Sequence, residues 1–241
     1  MITALLIFIL AALVAEVAGT IGGFGSSIFF VPIAGFFFDF QTVLAITAIL
    51  HVFSNTSKLF LFRKQIDYKL LLWLGVPSVI MVIVGAEITA HVTFKYLQLI
   101  LGVFIVAFSI FFFFYPDVKL PQDKLITVGA GGLAGFMAGL IGTGGAIRGL
   151  SLAAFNLSKE TFVATSAAVD FGVDLSRSVI YLNNDFMDKK YFYLIPILFG
   201  IALLGSYLGK LILNRINKES FRKIVLGLLF LIGTIEVIKW F

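Results

Sequence analysis

The sequence predicts an all-α polytopic membrane protein built from two homologous halves. Of its 241 residues, 60% are hydrophobic and only 13% are charged, whereas soluble domains carry about 25% charged residues. The mean hydropathy is +1.08, and a glycine-rich stretch occurs twice. We therefore expect one transmembrane domain over residues 1–241, in a multi-pass protein of the inner cell membrane.

About eight hydrophobic segments follow one another along the chain. They cover residues 2–38, 43–62, 68–90, 93–115, 125–155, 161–182, 190–213 and 219–240. Most are about 20 residues long, the length that an α-helix needs to cross roughly 30 Å of hydrocarbon. The first and fifth segments are too long for one simple span, so we expect each to be broken or re-entrant. Cleavage of a signal peptide is not expected, because no Lys or Arg precedes the first apolar run.

A glycine-rich stretch interrupts each of the two long segments. The first contains Gly22, Gly23 and Gly25, and the second contains Gly142, Gly144 and Gly145. A helical glycine costs about 0.5–1 kcal/mol relative to alanine, so these residues predict breaks. Broken membrane helices present free N–H groups that suit anions. The hydroxyls of Ser26, Ser27 and Thr143 would add donors. The alternative is close helix packing through small residues.

The two halves match beyond the glycines, which indicates an internal duplication. Lys58 and Arg177 are 119 positions apart, and Gly85 and Gly205 are 120 apart. We place the first repeat at residues 1–116 and the second at residues 124–241. Duplicated membrane proteins are often transporters.

The orientation of the repeats depends on whether the glycine segments cross the membrane. If each crosses once, the repeats are parallel and the positive charges divide almost evenly. If each is a hairpin or a pair of short spans, the repeats are inverted and ten loop cations share one side, which would be cytoplasmic. These are Arg63, Lys64, Lys69, Lys119, Lys124, Lys159, Arg215, Lys218, Arg222 and Lys223. We favour the inverted arrangement; hairpins and paired spans both remain open.

Polar and charged residues lie at helical spacing in the second and sixth segments. His51, Asn55 and Lys58 in the first repeat correspond to Asp170, Asp174 and Arg177 in the second. Charges at membrane depth are costly and normally face protein or water. Asp174 and Arg177 could instead form a structural pair, and Lys58 and Arg177 could extend to the interface.

Two charges beside the glycine breaks are harder to explain structurally. Glu16 precedes the first break and Arg148 follows the second, and neither has an opposite charge within one turn. The guanidinium of Arg148 offers a fork of donors that suits an oxyanion. Glu16, His51, Asp170 and Asp174 are candidates for exchanging a coupling proton.

Composition excludes several classes of site. The chain has no Cys and two distant His residues, so we expect no disulfide, metal site or cofactor. The net charge of +5 lies mostly in short connections, so we expect no nucleic-acid partner. The expected partners are a small anionic substrate, the lipid bilayer, a coupling proton and a second copy in a homodimer.

The chain resembles the TauE/SafE sulfite exporter family, also called the toluene sulfonate uptake permease family. The resemblance rests on the residue runs 22–25, 31–32, 45–48, 63–67, 142–145 and 164–167. Leu152 stands where the first repeat has Pro32, and Arg148 where it has Ile28. The resemblance implies a secondary carrier for sulfur-containing anions such as sulfite, sulfonates and sulfoacetate.

The sequence thus predicts a permease with alternating access and no catalytic residues. The predicted anion-binding set comprises Gly22, Gly23, Gly25, Ser26, Asn55, Lys58, Gly142, Thr143, Gly144, Gly145, Arg148 and Arg177. An anion channel and a non-transporting membrane assembly subunit are the alternatives. An intramembrane enzyme using Asp170 and Asp174 is disfavoured, because an aspartyl pair does not need the neighbouring cations.

Overall fold

The computed structural model describes residues 2–22, 25–62, 65–115, 117–118, 121–155, 157–213, 218–238 and 240, and this part of the chain is helical with no strand. Its α-helices are α1 (Ile2–Gly22), α2 (Ser27–Ala34), α3 (Phe40–Phe62), α4 (Tyr68–Leu70), α5 (Val76–His91), α6 (Phe94–Phe114), α7 (Lys124–Ile141), α8 (Gly145–Ala153), α9 (Lys159–Asn183), α10 (Leu194–Leu213) and α11 (Lys218–Ile238). A π-helical turn, Leu71–Gly75, joins α4 to α5.

Six stretches of the described chain are long and apolar enough to cross a membrane. They are Thr3–Ile21, Phe40–Leu61, Tyr68–His91, Phe94–Phe114, Lys124–Ile141 and Leu194–Ile212. Helix α9, which carries Asp170, Asp174 and Arg177, is not among them, and α11 contributes a shorter apolar stretch, Leu229–Ile238. The chain is therefore an all-α, multi-pass membrane protein, as its composition predicts.

Both long apolar segments are divided between two helices at the glycine-rich stretches. Helix α1 ends at Gly22 and α2 begins at Ser27, while α7 ends at Ile141 and α8 begins at Gly145. Gly25 and Gly142 both have φ of 80°. This left-handed conformation costs an L-residue with a Cβ about 1–2 kcal/mol, which explains glycine at these two turns. Gly23 lies outside the described residues.

The second arm of each broken segment folds back along the first arm. A Cβ atom on Gly19 of α1 would overlap the backbone of Ser26. One on Gly144 would likewise overlap Ala134, which is two turns before the end of α7. In a straight helix, residues seven and ten positions apart would be about 10.5 Å and about 15 Å apart, so the chain reverses direction at each break.

Each returning arm ends near the level where its segment began. The side chain of Gln122, just before α7, donates to the carbonyl of Ala154, just after α8, over 2.6 Å. In the first half, the ring centroids of Phe8 and Phe38 are 5.0 Å apart. These contacts join the first two turns of α1, and a residue just before α7, to the residues that follow α2 and α8, so α1–α2 and α7–α8 are hairpins.

The packing of the helices is symmetric between the two halves of the chain. Helix α1 packs against α10 and α7 against α5, while α3 packs against α9 and α6 against α11. Exchanging the two halves reproduces this set of pairs. Gly205 of α10 faces Glu16 of α1, and Gly85 of α5 faces Phe136 of α7. The two glycines are at corresponding positions in the two halves of the sequence, and so are the two residues that they face. Close packing through small residues therefore accounts for glycines outside the breaks.

Two groups of connecting residues mark opposite ends of the helix bundle. At the first end, the ring of Phe38 contacts Tyr191, and the ring of Phe94 contacts both Phe40 and Phe186. Near the same end, the ammonium of Lys95 lies 4.3 Å from the ring centroid of Trp240.

The second end is formed by residues from the remaining connections. The backbone N–H of Asp67 donates to the hydroxyl of Thr165 over 2.9 Å. The ammonium groups of Lys69 and Lys124 lie 4.4 and 5.8 Å from the ring centroid of Trp73. Tryptophan and lysine are typical of membrane–water interfaces, and the two Trp residues lie at opposite ends of the molecule.

Candidate functional site

A polar cavity lies where the two glycine breaks meet helices α3 and α9. Most residues that the sequence singles out line this cavity. They are Gly25, Ser26, His51, Asn55, Lys58, Gly142, Gly144, Gly145, Arg148, Asp170, Asp174 and Arg177. The two breaks touch each other, because the hydroxyl of Ser27 donates to that of Thr143 over 3.2 Å.

The remaining predicted residues lie beside the cavity or outside the described part. Thr143 is fully buried and reaches the site through its contact with Ser27. Glu16 is fully buried behind Ser26. Gly22 is the last residue of α1, and Gly23 is not described.

Arg177 and Asp174 form a closed ion pair at the centre of the molecule. The Nε and Nη2 atoms of Arg177 lie 2.9 and 2.7 Å from Asp174 Oδ1. Asp174 Oδ2 accepts from the amide of Asn55 over 2.8 Å. Asn55 and Asp174 are 119 residues apart, and the sequence predicts that they are equivalent positions, so this bond joins the two halves of the chain. The side chains of Arg177 and Asp174 are only 1% and 2% exposed, so the structural pair anticipated as an alternative is present.

The same arginine also donates hydrogen bonds to carbonyl groups at the end of α7. Arg177 Nη1 donates to the carbonyl oxygens of Ala138 and Gly142 over 3.1 and 2.8 Å. One turn later, the hydroxyl of Tyr181 donates to the carbonyl of Gly139 over 2.6 Å. A helix leaves its last carbonyls without intrahelical donors, and within a membrane they need protein partners. Arg177 and Tyr181 therefore stabilise the second break.

Arg148 forms a more open ion pair on the cavity wall. Its Nη1 atom contacts Asp170 Oδ1, and its Nε lies 3.4 Å from the hydroxyl of Ser166. Helix α8 supplies the arginine and α9 supplies the carboxylate. The side chain of Asp170 is 14% exposed, so this pair is the more accessible of the two arginine–carboxylate pairs.

Glu16 receives several donors at the back of the first break. Its carboxylate accepts from Ser26 over 2.5 Å, from Ser206 over 3.2 Å and from Ser54. Lys58 Nζ lies 3.4 Å from the same carboxylate, and the lysine side chain is 15% exposed. Glu16 is therefore fixed by hydroxyl groups, whereas Lys58 approaches it from the cavity side.

A chain of polar contacts connects the two halves across the cavity. The hydroxyl of Ser26 lies 2.8 Å from His51 Nε2, and His51 Nδ1 lies 3.7 Å from Asp174 Oδ2. Ser26 also donates to Glu16. The first break is thus linked through His51 to the central ion pair.

The charges around the cavity balance within the described residues. Lys58, Arg148 and Arg177 each contact a carboxylate, supplied by Glu16, Asp170 and Asp174 respectively. The sequence predicts a group of cations that would bind an anion directly. In this conformation, however, each cation already has an acidic partner.

Three residues of the site were not predicted from the sequence. Ser54, Ser206 and Tyr181 each bond to a group in or next to the cavity. Ser54 lies one turn from both His51 and Lys58, and Tyr181 lies one turn after Arg177, so helical spacing could have identified them. Ser206 follows Gly205, and its position becomes clear only when α10 packs against α1.

The chain matches a model of a known protein family. The family model described as sulfite exporter TauE/SafE matches residues 8–235. No curated protein and no solved structure matches the chain significantly. The family model covers both glycine hairpins and every helix that lines the cavity, so the resemblance seen in the sequence is confirmed. The chain belongs to the sulfite exporter TauE/SafE family.

Proposed function

We propose that this chain is a secondary transporter that moves small sulfur-containing anions, such as sulfite, sulfonates or sulfoacetate, across the membrane by alternating access and with a coupling ion. The observation that carries this proposal is the cavity at the junction of the two breaks, where Lys58, Arg148 and Arg177 converge. Cationic side chains at membrane depth mark substrate and ion pathways, and broken helices frame such sites in transporters.

Within this site, Arg148 and Lys58 are the proposed anion-contacting cations. Both line the cavity, and each has a single ion-pair partner among the described residues. The backbone around Gly25, Gly144 and Gly145 comes close to the same space without intervening side chains. Ser26 and Asn55 add polar groups, while Arg177 holds the second break in place.

We infer that residues 1–116 and 124–241 are inverted repeats. Each hairpin returns to the level of its start, so it contributes no net crossing. Each half then crosses three times, through α3, α4–α5 and α6 in the first half and through α9, α10 and α11 in the second. An odd number of crossings makes the second half begin on the opposite side from the first. With three crossings in each half, the ten loop cations counted in the sequence would share the side of the second end, and we propose that this side is cytoplasmic.

We further propose that this conformation opens toward the second end. Lys58, in the last turns of α3, and Asp170 are the most exposed of the ion-paired side chains around the cavity. Toward the first end, the rings of Phe30 and Phe38 both pack against the ring of Phe8 within the α1–α2 hairpin. Alternating access requires this aromatic packing to separate in the other conformation.

Counterflow in liposomes tests the proposed function. Purified protein would be reconstituted with unlabelled anion inside, and uptake of labelled sulfite outside would be followed, with a sulfonate, thiosulfate and a carboxylate as competitors. We expect saturable uptake that is stimulated by internal anion and is inhibited by the sulfur oxyanions more than by the carboxylate.

The same assay distinguishes the alternatives. A channel would conduct without stimulation by internal anion, and an assembly subunit would give no flux. Stimulated uptake of carboxylates in preference to sulfur oxyanions would overturn the substrate class and leave the transporter class intact.

A further inference from the structure

The carboxylates around the cavity divide into fixed and exchangeable groups. The carboxylate of Asp174 contacts two nitrogen atoms of Arg177 and accepts a hydrogen bond from the amide of Asn55. Glu16 receives three hydroxyl groups besides Lys58. The only partner of Asp170 within the described residues is Arg148, so this carboxylate is held least firmly.

Of the two arginines, Arg148 is correspondingly the more easily freed. Arg177 is tied to two backbone carbonyls as well as to its carboxylate, and moving it would leave the end of α7 without donors. Arg148 has a long contact with Ser166 besides Asp170. Replacing one partner of Arg148 therefore disturbs no helix end.

The balance of charge limits how an anion can enter. The cluster holds Lys58, Arg148 and Arg177 against Glu16, Asp170 and Asp174 in the described part of the chain. An added anion would leave a net negative charge in a poorly solvated space, which is costly. Entry is favourable when a positive charge comes with it, and the carboxylate displaced from Arg148 can accept a proton.

On the basis of the transport function proposed above, we propose that Asp170 is a built-in competitor of the substrate: the anion replaces Asp170 on Arg148, and the displaced carboxylate takes up one proton. The anion forms the guanidinium contact that Asp170 gives up, and the proton neutralises the released carboxylate. One negative and one positive charge enter together for a monoanion, so the charge of the cluster is unchanged.

The groups that face Asp170 are consistent with this exchange. Helix α8 presents Arg148, α3 presents His51 and Lys58, and α9 itself contributes Asp174 and Arg177. The titratable residues of the packed helices α5 and α7, which are Glu87, His91 and Lys124, do not line the cavity. When Asp170 is neutral, Arg148 lacks a charged partner and its fork is available to an oxyanion.

Binding calorimetry with purified protein tests the inference. Titrations with methanesulfonate, whose charge does not change near neutral pH, would be run in two buffers of different ionisation enthalpy to count the protons taken up per anion. We expect nearly one proton per anion for the wild type, with affinity falling up to tenfold per pH unit as the pH rises. Asp170→Asn should bind with no linked proton and with affinity independent of pH.

Two further variants serve as controls for this experiment. Asp170→Glu keeps a carboxylate and should retain the linked proton, while Glu87→Gln removes an exposed carboxylate outside the cavity and should behave as the wild type. Anion binding by the wild type without proton uptake would overturn the inference and leave the transporter proposal standing. Sulfite would be titrated in parallel, and absence of binding by both anions would overturn the transporter proposal together with the inference.

Discussion

At the scale of single residues, the two arginines of the site have different environments. Arg177 is 1% exposed and joins Asp174 to two carbonyl groups, those of Ala138 in α7 and of Gly142 directly after it. Arg148 lies on the cavity wall with Asp170 as its charged partner. The residue type does not predict this difference, because the difference depends on the groups that surround each guanidinium.

Replacing these two arginines should separate stability from binding. Arg177→Ala leaves Asp174 buried without its cation, a loss that typically costs about 3–5 kcal/mol. Arg148→Gln should cost clearly less, because Asp170 is partly exposed and glutamine can still donate. Thermal unfolding midpoints in one detergent would measure both. Equal destabilisation by the two substitutions would contradict a structural role that is specific to Arg177.

The hydroxyl of Tyr181 offers a milder test of the second break. Tyr181→Phe removes the donor to the buried carbonyl of Gly139 and should lower stability by about 1–3 kcal/mol. Tyr96→Phe, at an exposed position near the first end, is the matched control and should leave the unfolding midpoint almost unchanged. A loss as large in the control would show that the bond to Gly139 is not responsible.

At this scale, the sequence predicts most of the polar residues that line the cavity but not which of them pair. Asp174 and Arg177 are one helical turn apart, so their pairing could be anticipated. Arg148 and Asp170 are 22 positions apart, and Glu16 and Lys58 are 42 apart, so only tertiary structure brings them together. The cations that looked unpaired in the sequence each acquire a carboxylate.

At the scale of elements, the breaks depend on glycines with a left-handed backbone. At Gly142, φ is 80°, and an added Cβ would lie 2.7 Å from Leu44 and 3.1 Å from Val31. A residue with a Cβ atom at position 142 would therefore have both a strained backbone and a crowded side chain.

Alanine substitution in α7 and its cap should reveal this requirement. Gly142→Ala should destabilise the protein by about 2–5 kcal/mol, the sum of backbone strain and overpacking. Gly129→Ala, at a helical position in α7 where a Cβ meets no atom within 4 Å, should be neutral or stabilise by up to about 1 kcal/mol. Unfolding midpoints would compare the pair, and tolerance of both changes would argue against a left-handed turn at Gly142.

The sequence predicts where these elements break but not which way the chain continues. Glycine content identifies both interruptions, because glycine weakens a helix wherever it occurs. The return of each arm follows from contacts such as Gln122 with Ala154, which no local pattern specifies. Hairpins and paired short spans therefore have the same sequence signature.

At the scale of the whole molecule, the proposed repeats and the hairpins together would determine the topology. The helix pairs map onto each other when the halves are exchanged, and this symmetry alone fits both parallel and inverted repeats. Deciding between them requires the number of crossings in each half. That number depends on whether α7–α8 enters and leaves at the same end.

Cysteine labelling tests this topology directly, because the chain has no Cys of its own. Single cysteines at Asp117 and Glu160 flank the second hairpin, and both positions are exposed. We expect an impermeant maleimide to label both from the same side of the membrane as Gln65→Cys, and Lys189→Cys from the other side. Labelling of positions 117 and 160 from opposite sides would support parallel repeats instead.

The central claim is that Arg148, at the junction of the two halves, binds the transported anion. Equilibrium binding of sulfite to the purified Arg148→Gln variant tests it most directly, with Lys95→Gln as a control that removes one exposed positive charge at the first end. Losing a charged hydrogen bond of about 1.5–3 kcal/mol should weaken binding on the order of 10- to 100-fold, while the control binds as the wild type does. Wild-type affinity in a folded Arg148→Gln protein would contradict the account.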